Sequence, residues 1–279
     1  MAIGFTAYTA VNYNYQISVD SSFVFKFSQD RLPVAIILSL SCVDFLLYFT
    51  QSNPFVLVAY WLVMVIPKGK ICAWNHHHQH THTFRSRYLN RFLEFFYALH
   101  TGVTTNLWVL HHVLGHHHHY LDQTVDESRW KDGTGRKMGE LEYTLTVAGT
   151  AYYRGYQVGK KYPKPQKDFL LFGTLTLVAV VTLVWFHPLQ GLLLFVFPMI
   201  SGLLLTSWAT YEHHAGLDTS NEMEASYNNL HPWYNVLTGN LGYHTAHHYR
   251  QGVHWSQLPT LHEQIKDKIP AHLIRESWV

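Results

Sequence analysis

Imidazole side chains gather at four places in this sequence. The densest is His111-His112-Val113-Leu114-Gly115-His116-His117-His118-His119, where six of nine residues are histidine. Neutral imidazole binds iron, zinc or copper through a ring nitrogen. On a helix, His112 and His116 fall four apart on one face with His117 alongside, an HxxxHH arrangement that can aim three rings one way. Trp74-Asn75-His76-His77-His78-Gln79-His80-Thr81-His82 offers two interleaved pairs, His76 with His80 and His78 with His82, and spacing does not choose between them. His244-Thr245-Ala246-His247-His248 gives HxxHH, one more helical turn, and His213-His214 adds one ring from either position. An affinity tag explains one run, not several internal ones of different spacing. One pair, two triplets and a single ring make nine imidazoles. That is too many for one ion with about four to six positions, and it suits two. A dinuclear site of imidazoles and few carboxylates favours iron and oxygen chemistry, although zinc would be held as well. The lone rings His100, His187, His231, His262 and His272 read as structural or solvated.

Elements that could hold such rings follow from the composition. Charged residues make up 14% and hydrophobic residues 48% of the 279, against about 25% charged in an average soluble domain. Long apolar blocks alternate with blocks rich in His, Arg and Lys. A spanning helix needs about 20 mostly apolar residues, and four such runs occur, at about 33–50, 54–74, 169–187 and 189–209. They predict an all-α integral membrane protein: four transmembrane helices in two tight hairpins, with residues 75–168 and 210–279 forming a helical cap that carries the histidines, all within a single domain of residues 1–279. Lys68 and Lys70 are expected to snorkel. Residues 92–110 are apolar but contain Glu94, His100 and Asn106. A fifth span there would put the first two clusters on opposite sides of the bilayer, so an interfacial or re-entrant helix is expected. Residues 122–168 are expected outside the lipid. None of the 20 Lys and Arg lies in either hairpin loop, so the positive-inside tendency places both termini and every cluster in the cytoplasm. The first 30 residues lack the pattern of a cleaved signal peptide. A net charge of +2 and the lack of a basic helix or zinc-finger spacing argue against a nucleic-acid partner. Cys42 and Cys72 offer neither a disulfide framework nor an iron–sulfur set and read as buried small hydrophobes.

The ordered set HxxxH, HxxxHH and HxxHH, interleaved with two hairpins, resembles the membrane fatty acid desaturase/hydroxylase superfamily over about Pro33 to Pro259. The stretch Asn240-Leu241-Gly242-Tyr243-His244-Thr245-Ala246-His247-His248, followed by Gly252-Val253-His254-Trp255-Ser256-Gln257-Leu258-Pro259, resembles the third histidine box of bacterial members. Tyr211-Glu212-His213-His214-Ala215-Gly216-Leu217 is similar to the segment of alkane monooxygenases that supplies an extra ligand, which favours His213, although Thr210 stands where those enzymes tend to have asparagine. Gln251 likewise replaces a common proline. Members of the family often show HNHxH followed after three residues by an aromatic and a base; aligning His76 to His80, then Phe84-Arg85, with that pattern favours His76 and His80 over His78 and His82. The resemblance thus implies metal ligands His76, His80, His112, His116, His117, His213, His244, His247 and His248, two ferrous ions as cofactor, and dioxygen as co-substrate.

It further implies oxidation of an unactivated carbon–hydrogen bond in a fatty acyl chain, most simply desaturation. The chain would enter from the lipid bilayer into an apolar tunnel between the spans, with Trp74, Trp108 and Tyr243 as candidate lining. Asp122, Asp126, Glu94 and Glu212 are candidates to orient the imidazoles, and Asp44 in the first span is either functional or a hydrogen-bonded structural carboxyl. No haem-domain signature, Rossmann fingerprint or iron–sulfur cysteine set is fused, so an external donor of the ferredoxin or rubredoxin type with its reductase is the expected partner. The expected location is a bacterial inner membrane with a cytoplasmic active site. Two alternatives have other substrates: a carotenoid ketolase or hydroxylase, which shares a GYHxxHH-like third box, and a histidine-rich metal transporter, which predicts loose tracts and polar ligands at mid-membrane depth.

Overall fold

A computed structural model describes residues 23–277; the expectation about a signal peptide falls mainly on residues before 23 and lies outside the described residues. Four helices are long and apolar enough to cross a membrane: Ser28–Thr50, Pro54–His80, Pro163–Phe186 and Pro188–His214. The first is mainly α1 (Arg31–Thr50), the second is α2 (Pro54–His80) and the third will be α5 (Pro163–Phe186). Helix starts follow local rules. Asn53 accepts the Phe55 N–H in front of Pro54, and prolines also open the third and fourth spans, where a missing N–H costs nothing. Outward-facing Leu46, Phe49, Leu62, Val63, Leu177 and Trp185 are exposed, as expected of surfaces solvated by lipid. The two hairpin loops meet where the Gln190 amide donates to the Gln51 carbonyl at 3.0 Å.

At the other end the second and fourth spans run past 74 and 209, to His80 and His214. Each has 27 residues, about 40 Å at 1.5 Å per residue, against about 30 Å of hydrocarbon. The surplus turns carry the first cluster and the His213-His214 pair. Between hairpins, residues 92–110 divide into two elements instead of one helix. α3 (Arg87–Thr101) enters the bundle, and the chain turns back at Gly102 into a π-helical segment, Val109–His117. Gly102 has φ 71°, and a Cβ there would sit 2.2 Å from the Met199 carbonyl oxygen. Only glycine tolerates both. α4 (Glu140–Gly159) packs along the fourth span, its Tyr152 hydroxyl donating to the Gly102 carbonyl at 2.7 Å. Its outer face exposes Leu141, Leu145, Tyr152, Tyr153 and Tyr156, which departs from the polar character expected of residues 122–168.

A polar island lies inside the bundle. Asp44 accepts from the Tyr60 hydroxyl at 2.7 Å and from Lys68 Nζ at 2.8 Å, and His100 Nδ1 lies 3.4 Å away. Lys68 therefore does not snorkel; its ammonium is buried against a carboxylate, which is what makes both tolerable at that depth. Asp44 is the structural, hydrogen-bonded carboxyl. Around it Ile37, Ile71, Leu93 and Tyr97 pack the α1–α2–α3 contact. Cys72 is buried as expected, whereas Cys42 is exposed on the outer side of α1. The rest of the chain forms short helices Pro232–Thr238, His244–Tyr249 and Leu258–Ile265, and a two-residue parallel pair, Asn228–Asn229 with Ile274–Arg275. Asp30 anchors this tail to the head of α1 by accepting from His254 Nε2 and Trp255 Nε1, both at 3.0 Å.

Candidate metal centre

The last turns of α2, the π-helical segment, the end of the fourth span and the His244–Tyr249 helix meet in one nest of imidazoles. Five rings, His76, His80, His112, His117 and His247, place a nitrogen each within 4.8 Å of the others, and so do His116, His214 and His248. His76 Nε2 lies 2.9 Å from His247 Nε2, and His112 Nε2 lies 2.9 Å from His117 Nε2. His214 Nε2 lies 2.9 Å from His244 Nε2 and 3.3 Å from His116 Nε2. Two nitrogens bound to one ion at about 2.1 Å and a right angle stand about 3 Å apart. The spacings are those of ligands around a shared cation.

The outer nitrogens decide what the inner ones can do. His214 Nδ1 donates to the Ala225 carbonyl at 2.9 Å and His244 Nδ1 to the Leu241 carbonyl at 3.3 Å. A carbonyl only accepts, so in the neutral rings both protons sit on Nδ1 and two Nε2 lone pairs face each other. Burial first, then neighbouring imidazoles, hold His112, His117, His244, His247 and His248 well below the ordinary value of 6.5, so proton sharing does not relieve the contact. His80 Nε2 and both nitrogens of His248 are buried without a hydrogen-bond partner. Opposed lone pairs and orphaned nitrogens are what a metal ion would satisfy. The donor set fits two ions. Asp126 Oδ1 accepts from His116 Nδ1 at 2.8 Å and fixes that ring.

A mainly apolar cavity of about 420 Å³ reaches this nest from between α2 and the fourth span, lined by Val65, Gly69, Leu205 and Leu237 and ending on His76, His112 and His244. Trp74, Trp108 and Tyr243, expected as tunnel lining, do not line it. The sequence profile of one family, Fatty acid desaturase, matches residues 52–279. The chain belongs to the fatty acid desaturase family. None of the curated proteins matches it. Membership makes this an oxidoreductase of the membrane desaturase and hydroxylase type, and its four apolar helices agree with an integral membrane protein.

Within this member of the family the nine histidines singled out by sequence divide unevenly. Eight converge. His213 does not: Tyr234 Oη lies 3.0 Å from its Nε2, its Nδ1 donates to the Tyr227 carbonyl at 3.1 Å, and its ring stacks on His244 at 3.8 Å. His214 takes its place in the nest, because the last helical turn points that residue, not its neighbour, toward His116 and His248. The second cluster also differs from the α-helical expectation. In a π-helix residues five apart stack, so His112 pairs with His117 while His116 turns to the other group. His78 and His82 flank the Glu94 carboxylate, at 3.2 and 3.8 Å. Burial pushes Glu94 up, but His78 and the Arg91 guanidinium more than offset this and hold it down at about 2. Of the proposed orienting carboxylates, only Asp126 touches a converging ring. Asp122 is exposed and accepts from Thr124, and Glu212 lies 3.6 Å from Arg275.

Proposed function

We propose that this desaturase is a diiron, oxygen-dependent oxidase of aliphatic acyl chains, with desaturation as the principal reaction. One iron would be held by His76, His80, His112, His117 and His247, the other by His116, His214 and His248 with His244 beside them. The observation that carries this is the direct opening of an apolar cavity onto His76, His112 and His244. When bound, the two ferrous ions supply the dioxygen activation that no side chain provides. The protein does the rest. Asp126 and the Ala225 and Leu241 carbonyls keep the outer protons in place, leaving Nε2 lone pairs turned inward. The apolar walls bury an acyl chain against the centre and exclude water. Removal of two hydrogens with reduction of dioxygen to two waters requires two further electrons, for which an external ferredoxin or rubredoxin with its reductase is the proposed donor. The distribution of Lys and Arg supports a cytoplasmic centre, and we infer a bacterial inner membrane as the location.

The test is metal content beside product. Protein loaded with ferrous iron should carry two irons per chain by elemental analysis, and lipid extracts of a producing host should contain newly unsaturated acyl chains only in air. His214→Ala should lose one iron and all turnover, while His213→Phe should keep both irons. Equal iron loss in the two variants would return the ligand role to His213. Consumption of carotenoid with untouched fatty acid would replace the substrate class.

A further inference from the structure

A separate cavity, about 480 Å³, reaches no histidine. It is a groove on the lipid-facing side between α5 and the fourth span. Phe169, Gly173 and Val180 form one wall, Leu203 the other, and Thr104 and Tyr152 close the end nearer the nest. Gly173 leaves it open: a Cβ there would meet only Thr104 Oγ1, at 3.6 Å. At that same end, where α4 hands over to α5, Lys160, Lys161, Lys164 and Lys167 stand exposed within eight residues. Lys160 caps the Tyr156 ring at 5.3 Å, whereas Lys161, Lys164 and Lys167 have no salt-bridge partner among the described residues. The exposed stripe of α4, Leu141, Leu145, Tyr152 and Tyr156, is an apolar face that the protein leaves uncovered beside the fourth span. Lys164 and Lys167 stand in the first turns of α5, shortly before Phe169 and Gly173 of the groove wall. The positive-inside tendency accounts for lysines on this side, but not for four of them gathered within eight residues just ahead of one apolar slot.

We propose that the groove and the lysine cluster form a binding site for an anionic phospholipid, one acyl chain lying against Gly173 and the phosphate-bearing head group among Lys161, Lys164 and Lys167. Charge selects this occupant. Clustered lysines beside a span attract anionic lipid and repel a second copy of the same surface. The site is separate from the acyl cavity, so it binds a lipid that is not the substrate.

The full chain, loaded with iron, would be reconstituted in phosphatidylcholine vesicles with and without phosphatidylglycerol, and the lipid retained after purification measured by mass spectrometry. Phosphatidylglycerol is expected to be enriched several-fold over its bulk fraction and to raise the thermal unfolding midpoint. The triple variant Lys161→Gln, Lys164→Gln and Lys167→Gln should fold, since all three side chains are exposed, and should lose the enrichment. Gly173→Leu should reduce retention of both lipids while leaving the lysines intact. Inorganic phosphate should not shift the midpoint. Retention in bulk proportion, enrichment that survives the triple variant, or a full shift from phosphate alone overturns the site. None of these readouts involves turnover, so they stand apart from the proposed reaction.

Discussion

His76 with His80, and His78 with His82, have the same spacing on and just past the end of α2, and nearly the same ring separations, 5.0 and 5.2 Å. Their surroundings differ. His76 and His80 face His112, His117 and His247. His78 and His82 face Glu94, whose two oxygens also receive Arg91 Nη1 at 2.7 and 2.6 Å. A ring set against an acceptor already neutralised by a guanidinium is satisfied where it stands. A ring set against other rings is not, and that leaves it free for a cation. Chelating spacing is therefore common to both pairs, each of which belongs to a group close enough to hold an ion, and the opposing elements are what distinguish them.

The contrast is sharpest in single substitutions. His80→Ala should strip the five-ring group of its metal and drop turnover to background, whereas His82→Ala should keep two irons per chain and most of the activity. Iron analysis on both variants checks this, and loss of metal in His82→Ala would erase the distinction. Next come the carboxylates. Asp126→Asn, which disturbs the ring it orients, should cost about 10–100-fold in metal affinity or activity. Glu94→Gln should leave metal affinity alone and instead lower stability by about 3–5 kcal/mol, the usual cost of breaking a buried ion pair, read from denaturant unfolding.

The smallest effect is in acid. His112 and His247 have folded values well below their unfolded 6.5, so the unfolded chain binds more protons and metal-free protein should lose stability as pH falls below about 6.5. Glu94 is lowered from 4.5 to about 2, so its contribution is intact above 4.5 and fades as pH falls through that window toward 2. Thermal midpoints against pH should show the two losses in that order, and bound iron should delay the first.

Much of this arrangement is legible in the chain. The four spans, their hairpin pairing and the convergence of three clusters follow from apolar length and from the histidine spacing. The choice between His213 and His214 does not, because adjacent residues at a helix end differ only by the last turn's rotation. Nor does the fate of Lys68, since a lysine near a span end snorkels or pairs according to whether Asp44 of another helix faces it. Asp126 is one of four equivalent carboxylates in sequence, and only the fold of the loop after the second cluster brings it to His116. The apolar outer face of α4 is masked by charged and small residues on its other faces.

The π-helical segment bears on how histidine motifs are compared. An i→i+5 turn absorbs one residue more than an α turn. His112 and His117, five apart, bring their rings to 4.5 Å, and His244 and His248, four apart in an α-helix, bring theirs to 4.8 Å. HxxxHH and HxxHH are then a single device written in two helix types, one with an inserted residue taken up by the backbone. Deleting Val113 should let the segment close as an α-helix with its outer pair still in contact. A one-residue gap between aligned boxes thus records the winding of the helix, not the identity of the molecule oxidised.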